Sequence, residues 1–444
     1  MRSIEEKRYS AKKVTRKIFS LLSNLKFAIV ILLIIAGFSI FGTVIEQNQT
    51  LDFYKENYPD NKLVFGLLNW QIIKFFNLND IYKSWWYLSL LILLGLSLIV
   101  CSFTSQLPML KVSKQWKFLI FKQELKNIDI KIKIKNINFS KIVSALNKKT
   151  YNIFQQKNSL FCYKGVVGRI APVVVHISII QIFIGAFLGA FFGYGGQEMI
   201  PKTETFHLQN IVDAGYLSVT PVKTALRVNN FWIDYTKKEN GTINQFYSDV
   251  SLINNKGEEI RRKIISVNNP LHYKDLTLYQ SDWDIIGVRQ QKMGENSKLE
   301  YEAKKIKTSN GNRWLSQVKV TEKKKEKVNI LIKDLQEKIS LYDDEGNFLD
   351  KVKEGELFGV GNNKFLIKEI LTATGIDIKS DPGIPFVYLG FVLLITSTLL
   401  SFTSYSRIWV LKIKESFYIG GTSNRAKISF ERYFLNEVNN VLKE

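Results

Sequence analysis

Three histidines, His176, His207 and His272, and two cysteines, Cys101 and Cys162, are the residues of this chain best suited to hold a metal or do redox chemistry. The histidines are not spaced as ligands of one metal site, and no Gly-rich phosphate loop of the Walker type accompanies them. The cysteines form no Cys-x-x-Cys pair, so the chain lacks the couple that thiol–disulfide exchange needs, and both are expected to be structural. No nucleophile with its base, no acid/base pair and no metal cluster can be assembled, so no catalytic residue is assigned. His176 stands apart because it sits in the apolar stretch "GRIAPVVVHISIIQIF", 168–183. An ionisable group in such a run is costly to insert and faces a protein interior or a cavity. Neutral imidazole is a good axial ligand for haem iron. It can equally hydrogen-bond a neighbouring helix and hold it in place, and the residue alone leaves both roles open.

The elements that must position His176 follow from hydropathy. Residues 25–45, 85–103, 173–193 and 384–402 contain no charged residue apart from Lys26 at the edge of the first. At about 1.5 Å per residue, roughly 20 residues cross the hydrocarbon core, so each stretch fits a span. The chain therefore reads as an integral membrane α-helical protein with four transmembrane helices and one large β-rich translocated domain. The first span is too long in its apolar core, and lacks a following small-residue cleavage site, to read as a cleaved signal. Residues 1–24 hold seven Lys/Arg, 104–172 hold fourteen against two acids, and 403–444 hold seven against four. By the positive-inside rule these segments face the cytoplasm or stroma, and 194–383 is translocated. Nearly all of the formal net charge of +22 falls on that one side. The high pI thus serves topology and contact with anionic lipid, and no aromatic-laced basic groove points to nucleic acid. The expected organisation is a basic head (1–24), two transmembrane helices with a short loop (25–103), a basic loop (104–172), a third helix (173–193), the β-rich domain (194–383), a fourth helix (384–402) and a tail (403–444).

Smaller patterns refine this layout. Trp85, Trp86 and Tyr87 open the second span as an interfacial aromatic belt. "LVFGLLNWQIIKFFNL", 63–78, reads as a helix on the membrane surface or packed on the spans. In 194–383, "TALRVNNFWIDY", "QFYSDVSLINNKGEEIRRKIISV" and "ISLYDDEGNFLDKVKEGELF" alternate like strands broken by turns, as in a sandwich or barrel-like module. The lysines of 323–327 read as a protected strand edge or solvated turn, and Trp283 as a lone core aromatic. Gly185, Gly189 and Gly193 recur every fourth residue, a ridge on which another helix can pack. At about 100° per residue they lie away from His176, so ridge and histidine should face different neighbours.

Six blocks together carry a family resemblance: "NLKFAIVILLIIAGFSIFGTVIEQNQ", "FFNLNDIYKSWWYLSLLILLGLSLIVCSF", "KGVVGRIAPVVVHISII", "NNPLHYKDLTLYQSDW", "DPGIPFVYLGFVLLITSTLLSF" and "GGTSNRAKISFE". In order and layout the chain resembles the ResB (CcsB) family over about residues 24–431. The resemblance implies the membrane subunit of the System II cytochrome c synthase, which passes haem across the membrane and attaches it to apocytochrome c. Such a subunit is not expected to be catalytic alone. Its implied partners are a CcsA-type haem handling protein, which supplies the tryptophan-rich motif missing here, apocytochromes such as cytochrome f, and components of a thiol-reducing pathway. Its implied cofactor is haem b, held transiently in the manner of a substrate. His176 matches the family's third-span histidine, an axial ligand to haem iron. His272 lies in the "NNPLHYK" block, where arginine is common, and is a weaker cofactor-binding candidate. Cys101 matches a cysteine often found at the end of the second span, and His207 falls outside every block. The competing reading is a non-catalytic scaffold that stabilises the partner without binding haem. A solute transporter is disfavoured because no broken-helix pair or inverted repeat is seen. Abundant Lys, Asn, Ile and Phe and the absence of a presequence suit a plastid gene and the thylakoid membrane, with a cyanobacterial thylakoid or plasma membrane as the alternative.

Overall fold

The computed structural model describes residues 13–60, 68–135, 138–207, 211–219, 224–236, 243–294, 297–308, 311–319, 327–336, 338–360 and 363–443. Segments apolar on every side form the four helices long and apolar enough to cross a membrane: Leu25–Val44, Trp85–Lys114, Val167–Phe192 and Ile384–Ser401. Hydroxyls on these helices find acceptors on their own backbone or on a neighbouring segment, as hydrocarbon requires: Ser39 Oγ donates to the Ile35 carbonyl at 2.8 Å, Ser178 Oγ to that of Val174 at 2.7 Å, and Ser97 Oγ to that of Leu22 at 2.7 Å. The second helix outruns the expected span, continuing through a π turn at Ser102–Gln106 into Leu107–Lys114. The third begins at Val167, six residues earlier than expected, and runs on past Pro172.

The connection between the first two helices is fastened by polar side chains. Gln47 Nε2 donates to the Ile45 and Leu78 carbonyls, and its Oε1 accepts from the Ile81 amide. The Tyr58 hydroxyl donates to the Glu46 carboxylate at 2.7 Å, which holds that carboxyl below its usual range. Burial and then Glu46 push the phenol of Tyr58 up to about 12. Of the helix expected over 63–78, residues 63–67 lie outside the described residues. The rest forms a short helix, Trp70–Phe75, and a 3-10 segment, Leu78–Lys83, with Ile73 and Ile81 fully buried, so packing rather than a flat surface position fixes it.

Contacts divide the chain into two compact units, residues 188–382 and the remainder. The first is the expected β-rich domain. A four-stranded sheet (Thr205–His207, Thr224–Tyr235, Ile243–Asn254, Glu259–Ser266) stacks on part of an eleven-stranded one. Val228, Val250 and Ile265 meet Leu271, Leu278, Ile376 and Ile378 in the core between them. Two long strands, Leu276–Lys292 and Asn363–Ser380, pair along most of their length and run on into a second core. There the larger sheet curls so that strands from Leu276–Lys292 round to Leu357–Val360 share one interior. The turns read from sequence form. Asp343 Oδ1 accepts from the Asn347 amide at 2.7 Å, and Gly346 takes the left-handed conformation (φ +86°) that joins Ile339–Tyr342 to Phe348–Val352. Residues 323–326 lie outside the described residues, and Lys327 opens the strand Lys327–Ile332. Trp283 is not alone: its ring lies 5.3 Å from that of Trp314 and 6.3 Å from that of Phe231, partly buried against the second core.

Residues 104–172 and the tail are not loops. They supply an antiparallel sheet with the spatial order Ile130–Lys135, Ser416–Ser423, Ser406–Ile413, Ser159–Lys164, Asn152–Gln156. The alternation IKIKIK turns Ile130, Ile132 and Ile134 toward the core. Helices Phe139–Lys148 and Lys427–Lys443 cover it through Ile142 and Phe434, and Cys162 lies at its centre with no exposure. Burial pushes the Cys162 thiol up to about 12, so at pH 8 almost none of it is thiolate. Iodoacetamide at pH 8 should leave Cys162 unmodified in the folded protein and label it fully in denaturant. Peptide mass spectrometry checks this, and labelling of native Cys162 at the rate of a free thiol would contradict the buried assignment.

Candidate functional site

The chemistry centres on the pairing of the second and third helices. Ser102 Oγ lies 2.9 Å from His176 Nδ1 and 2.7 Å from the Leu98 carbonyl oxygen one turn back on its own helix. A serine hydroxyl has a single proton. With that proton on the Leu98 carbonyl, Ser102 accepts from Nδ1–H of His176. This arrangement favours the neutral tautomer with the proton on Nδ1, and among the described residues no hydrogen bond is made to Nε2. It is the arrangement seen for metal-ligating histidines, whose second nitrogen is tied to a hydrogen-bond acceptor.

Local sequence explains why the serine is where it is. The second helix holds α geometry from Trp85 to Cys101 and then opens into the π turn whose first residue is Ser102. Such turns insert an extra residue into a helix and are frequent at functional sites. On the third helix the glycine ridge sets the other side. A methyl group on Gly185 would come within 2.6 Å of Val387 and 2.8 Å of the Gly383 carbonyl oxygen, and one on Gly390 within 2.6 Å of Ile182. Glycines on both the third and fourth helices therefore permit backbone contact. The ridge meets the fourth helix while the histidine meets the second, as the angular spacing predicts.

The remaining expected residues are not gathered here. His272 lies on the strand Leu271–Tyr273, exposed, with Nδ1 3.1 Å from Thr277 Oγ1. His207 ends a short strand and is exposed. Both belong to the β-rich unit. Cys101 is a partly buried free thiol beside Ser102. Among the described residues no group of three or more His, Cys, Asp or Glu could hold a metal ion. A single donor such as His176 Nε2 could ligate a metal only together with a ligand from outside the described residues. Sequence reasoning missed Ser102 because a serine near the end of a span carries no signal until its partner 74 residues away is known.

Comparison with known proteins agrees with the expected family. The model of the ResB-like family matches residues 25–349 and 305–435. The chain is 43% identical over 420 residues to the cytochrome c biogenesis protein Ccs1 of Thalassiosira pseudonana, covering 95% of this chain and 99% of that one. It is 41% identical over 436 residues to Ccs1 of Porphyra purpurea (98% and 99%) and 41% over 426 residues to the cytochrome c biogenesis protein CcsB of Microcystis aeruginosa (95% of each).

With three histidines in the chain, selective ¹⁵N-histidine labelling resolves the tautomer by NMR. The His176 ring should be neutral with the proton on Nδ1. Ser102→Ala should move the population toward the Nε2–H form while leaving His207 and His272 unchanged. An Nε2–H ring in the unsubstituted protein would refute the hydrogen-bond assignment.

Proposed function

The chain belongs to the ResB-like family, and on that premise we propose that it is the membrane subunit of the System II cytochrome c synthase, which carries haem across a membrane and attaches it to apocytochrome c. Its work is the biogenesis of c-type cytochromes, the role its relatives' names state for them. The observation that carries the finer reading is the tethered imidazole: Nδ1 of His176 is held by Ser102, and no described residue bonds Nε2. A ring held this way is preorganised to give haem iron one axial bond. Haem b is then a transient, substrate-like occupant, and a CcsA-type partner supplies the opposite ligand. Ile170, Ile177 and Ile184, each one residue along from Arg169, His176 and Phe183, form an exposed apolar stripe beside the histidine, which suits a helix of that partner. His272, hydrogen-bonded to Thr277, enters this reading only as a weaker second candidate.

Charge supports the sidedness. The basic sheet domain and both termini face the stroma or cytoplasm, and the unit at 188–382 faces the lumen. Relatives from plastids and cyanobacteria suit a thylakoid membrane, and cytochrome f is then a candidate substrate. The two expected cysteines both fall on the basic side, so reduction of the apocytochrome thiols is left to a separate pathway. The assembled complex, purified with its partner, should carry a haem absorption band. His176→Ala should lose the band and abolish holocytochrome c formation, and added imidazole should restore part of the band. Unchanged haem in His176→Ala would refute ligation, and a wild-type complex with no haem band would favour the scaffold reading.

A further inference from the structure

Seven residues before His176, the third helix carries an arginine whose charge the described residues do not neutralise. Two helical turns separate Arg169 from His176, about 10 Å along the axis and only about 20° around it, so both project from one side. Nε of Arg169 is sealed from solvent with no acceptor. Nη1 donates to the sulfur of Met109 at 2.8 Å, a weak acceptor for a cation. The guanidinium also lies 5.3 Å from the centre of the Tyr405 ring, which Arg407 shares at 5.8 Å. The Tyr405 hydroxyl is fixed by the Ser113 carbonyl at 2.7 Å, so the ring is a rigid platform. Arg425, which donates to the Ser401 carbonyl, is near enough to add its field to that of Arg407 at Arg169. Among the described residues none of these three arginines forms an ion pair with a carboxylate. Arg169 and Arg407 are half-buried and Arg425 is exposed; a thioether, ring faces and a carbonyl are weak partners for half-buried like charges, which are costly unless an anion completes them.

Resting on the ligation reading above, we infer that Arg169, backed by Arg407 and Arg425, is a seat for the propionate carboxylates of the porphyrin whose iron His176 binds. The iron-to-carboxylate reach of a porphyrin is of the same order as the separation of His176 and Arg169 along the helix. Planar guanidinium forks match carboxylates in pairs. The seat fixes which edge of the macrocycle points toward the basic domain, and so which edge, the one bearing the vinyl groups, points away from it. An anionic lipid headgroup offers the same oxyanion chemistry at the same depth, and the experiment separates the two.

The full chain, purified with its haem-handling partner and stripped of haem, is titrated with haem and with haem dimethyl ester, whose propionates are capped. Arg169→Gln should bind haem about tenfold more weakly, the scale of one charge-assisted hydrogen bond. It should no longer distinguish haem from the ester, whereas the unsubstituted complex should prefer haem by the same factor. The spectrum of bound haem should be unchanged in Arg169→Gln, because His176 still ligates it, and Arg169→Lys should recover part of the preference. Equal affinity of Arg169→Gln and wild type for haem overturns the seat. If native mass spectrometry then shows that the variant has lost a bound anionic lipid, the arginine serves a headgroup instead. Loss of haem in His176→Ala with no effect of Arg169→Gln removes the seat alone. Failure of the wild-type complex to take up haem removes the ligation reading and the seat together.

Discussion

An imidazole inside a membrane helix must commit one nitrogen to the protein, and the nitrogen it does not commit is what it can offer. Unpaired, both would carry the desolvation cost of polar groups in hydrocarbon. The Ser102 hydroxyl takes one nitrogen. The serine's own proton is used within its helix, so the direction of the hydrogen bond to the ring is decided before any ligand arrives. Packing through Nδ1 leaves Nε2 uncommitted, so the packing and ligation readings of His176 do not exclude each other.

The rest of the membrane part follows from giving the third helix two different faces. Toward the fourth helix it presents glycine, and Gly185 and Gly390 permit contact that any side chain would obstruct. Toward the second it presents the histidine, and that helix answers with a π turn at the hydroxyl. A helix that packs with its backbone on one side and exposes Ile170, Ile177 and Ile184 elsewhere has only a narrow strip left for polar chemistry. Arg169 and His176 both lie on it.

How much of this was legible in the sequence depends on the range of the signal. The four helices could be read because a charge-free run is a local property, and the turns at Asp343–Asn347 and Asn254–Glu258 because acceptor side chains and glycine act within a few residues. The glycine ridge and histidine could be assigned to different neighbours from angular spacing alone, though not which neighbour each would meet. Illegible were the features whose two halves lie far apart in the chain. Ser102 has meaning only against His176, Arg169 only against Tyr405, and Trp283 only against Trp314 and Phe231. The basic sheet was missed for the same reason. Its edge strand IKIKIK has strand alternation, but the strand that covers it, Ser416–Ser423, lies beyond the fourth helix. High positive charge drew attention to topology and away from the apolar half of the alternation.

That sheet imposes an order on the birth of the molecule. Two of its three interior strands are Ser406–Ile413 and Ser416–Ser423, which the ribosome delivers only after the four helices that, among the described residues, are long enough to cross a membrane. Until then Ile130–Lys135 waits without a neighbour and the hairpin Asn152–Lys164 keeps an open flank, since joining them requires closing a very long loop. The domain therefore closes only after the fourth of these helices has been made. A copy that stalls at Ile384–Ser401 is left with bare strand edges, the feature by which unfinished chains aggregate or are destroyed.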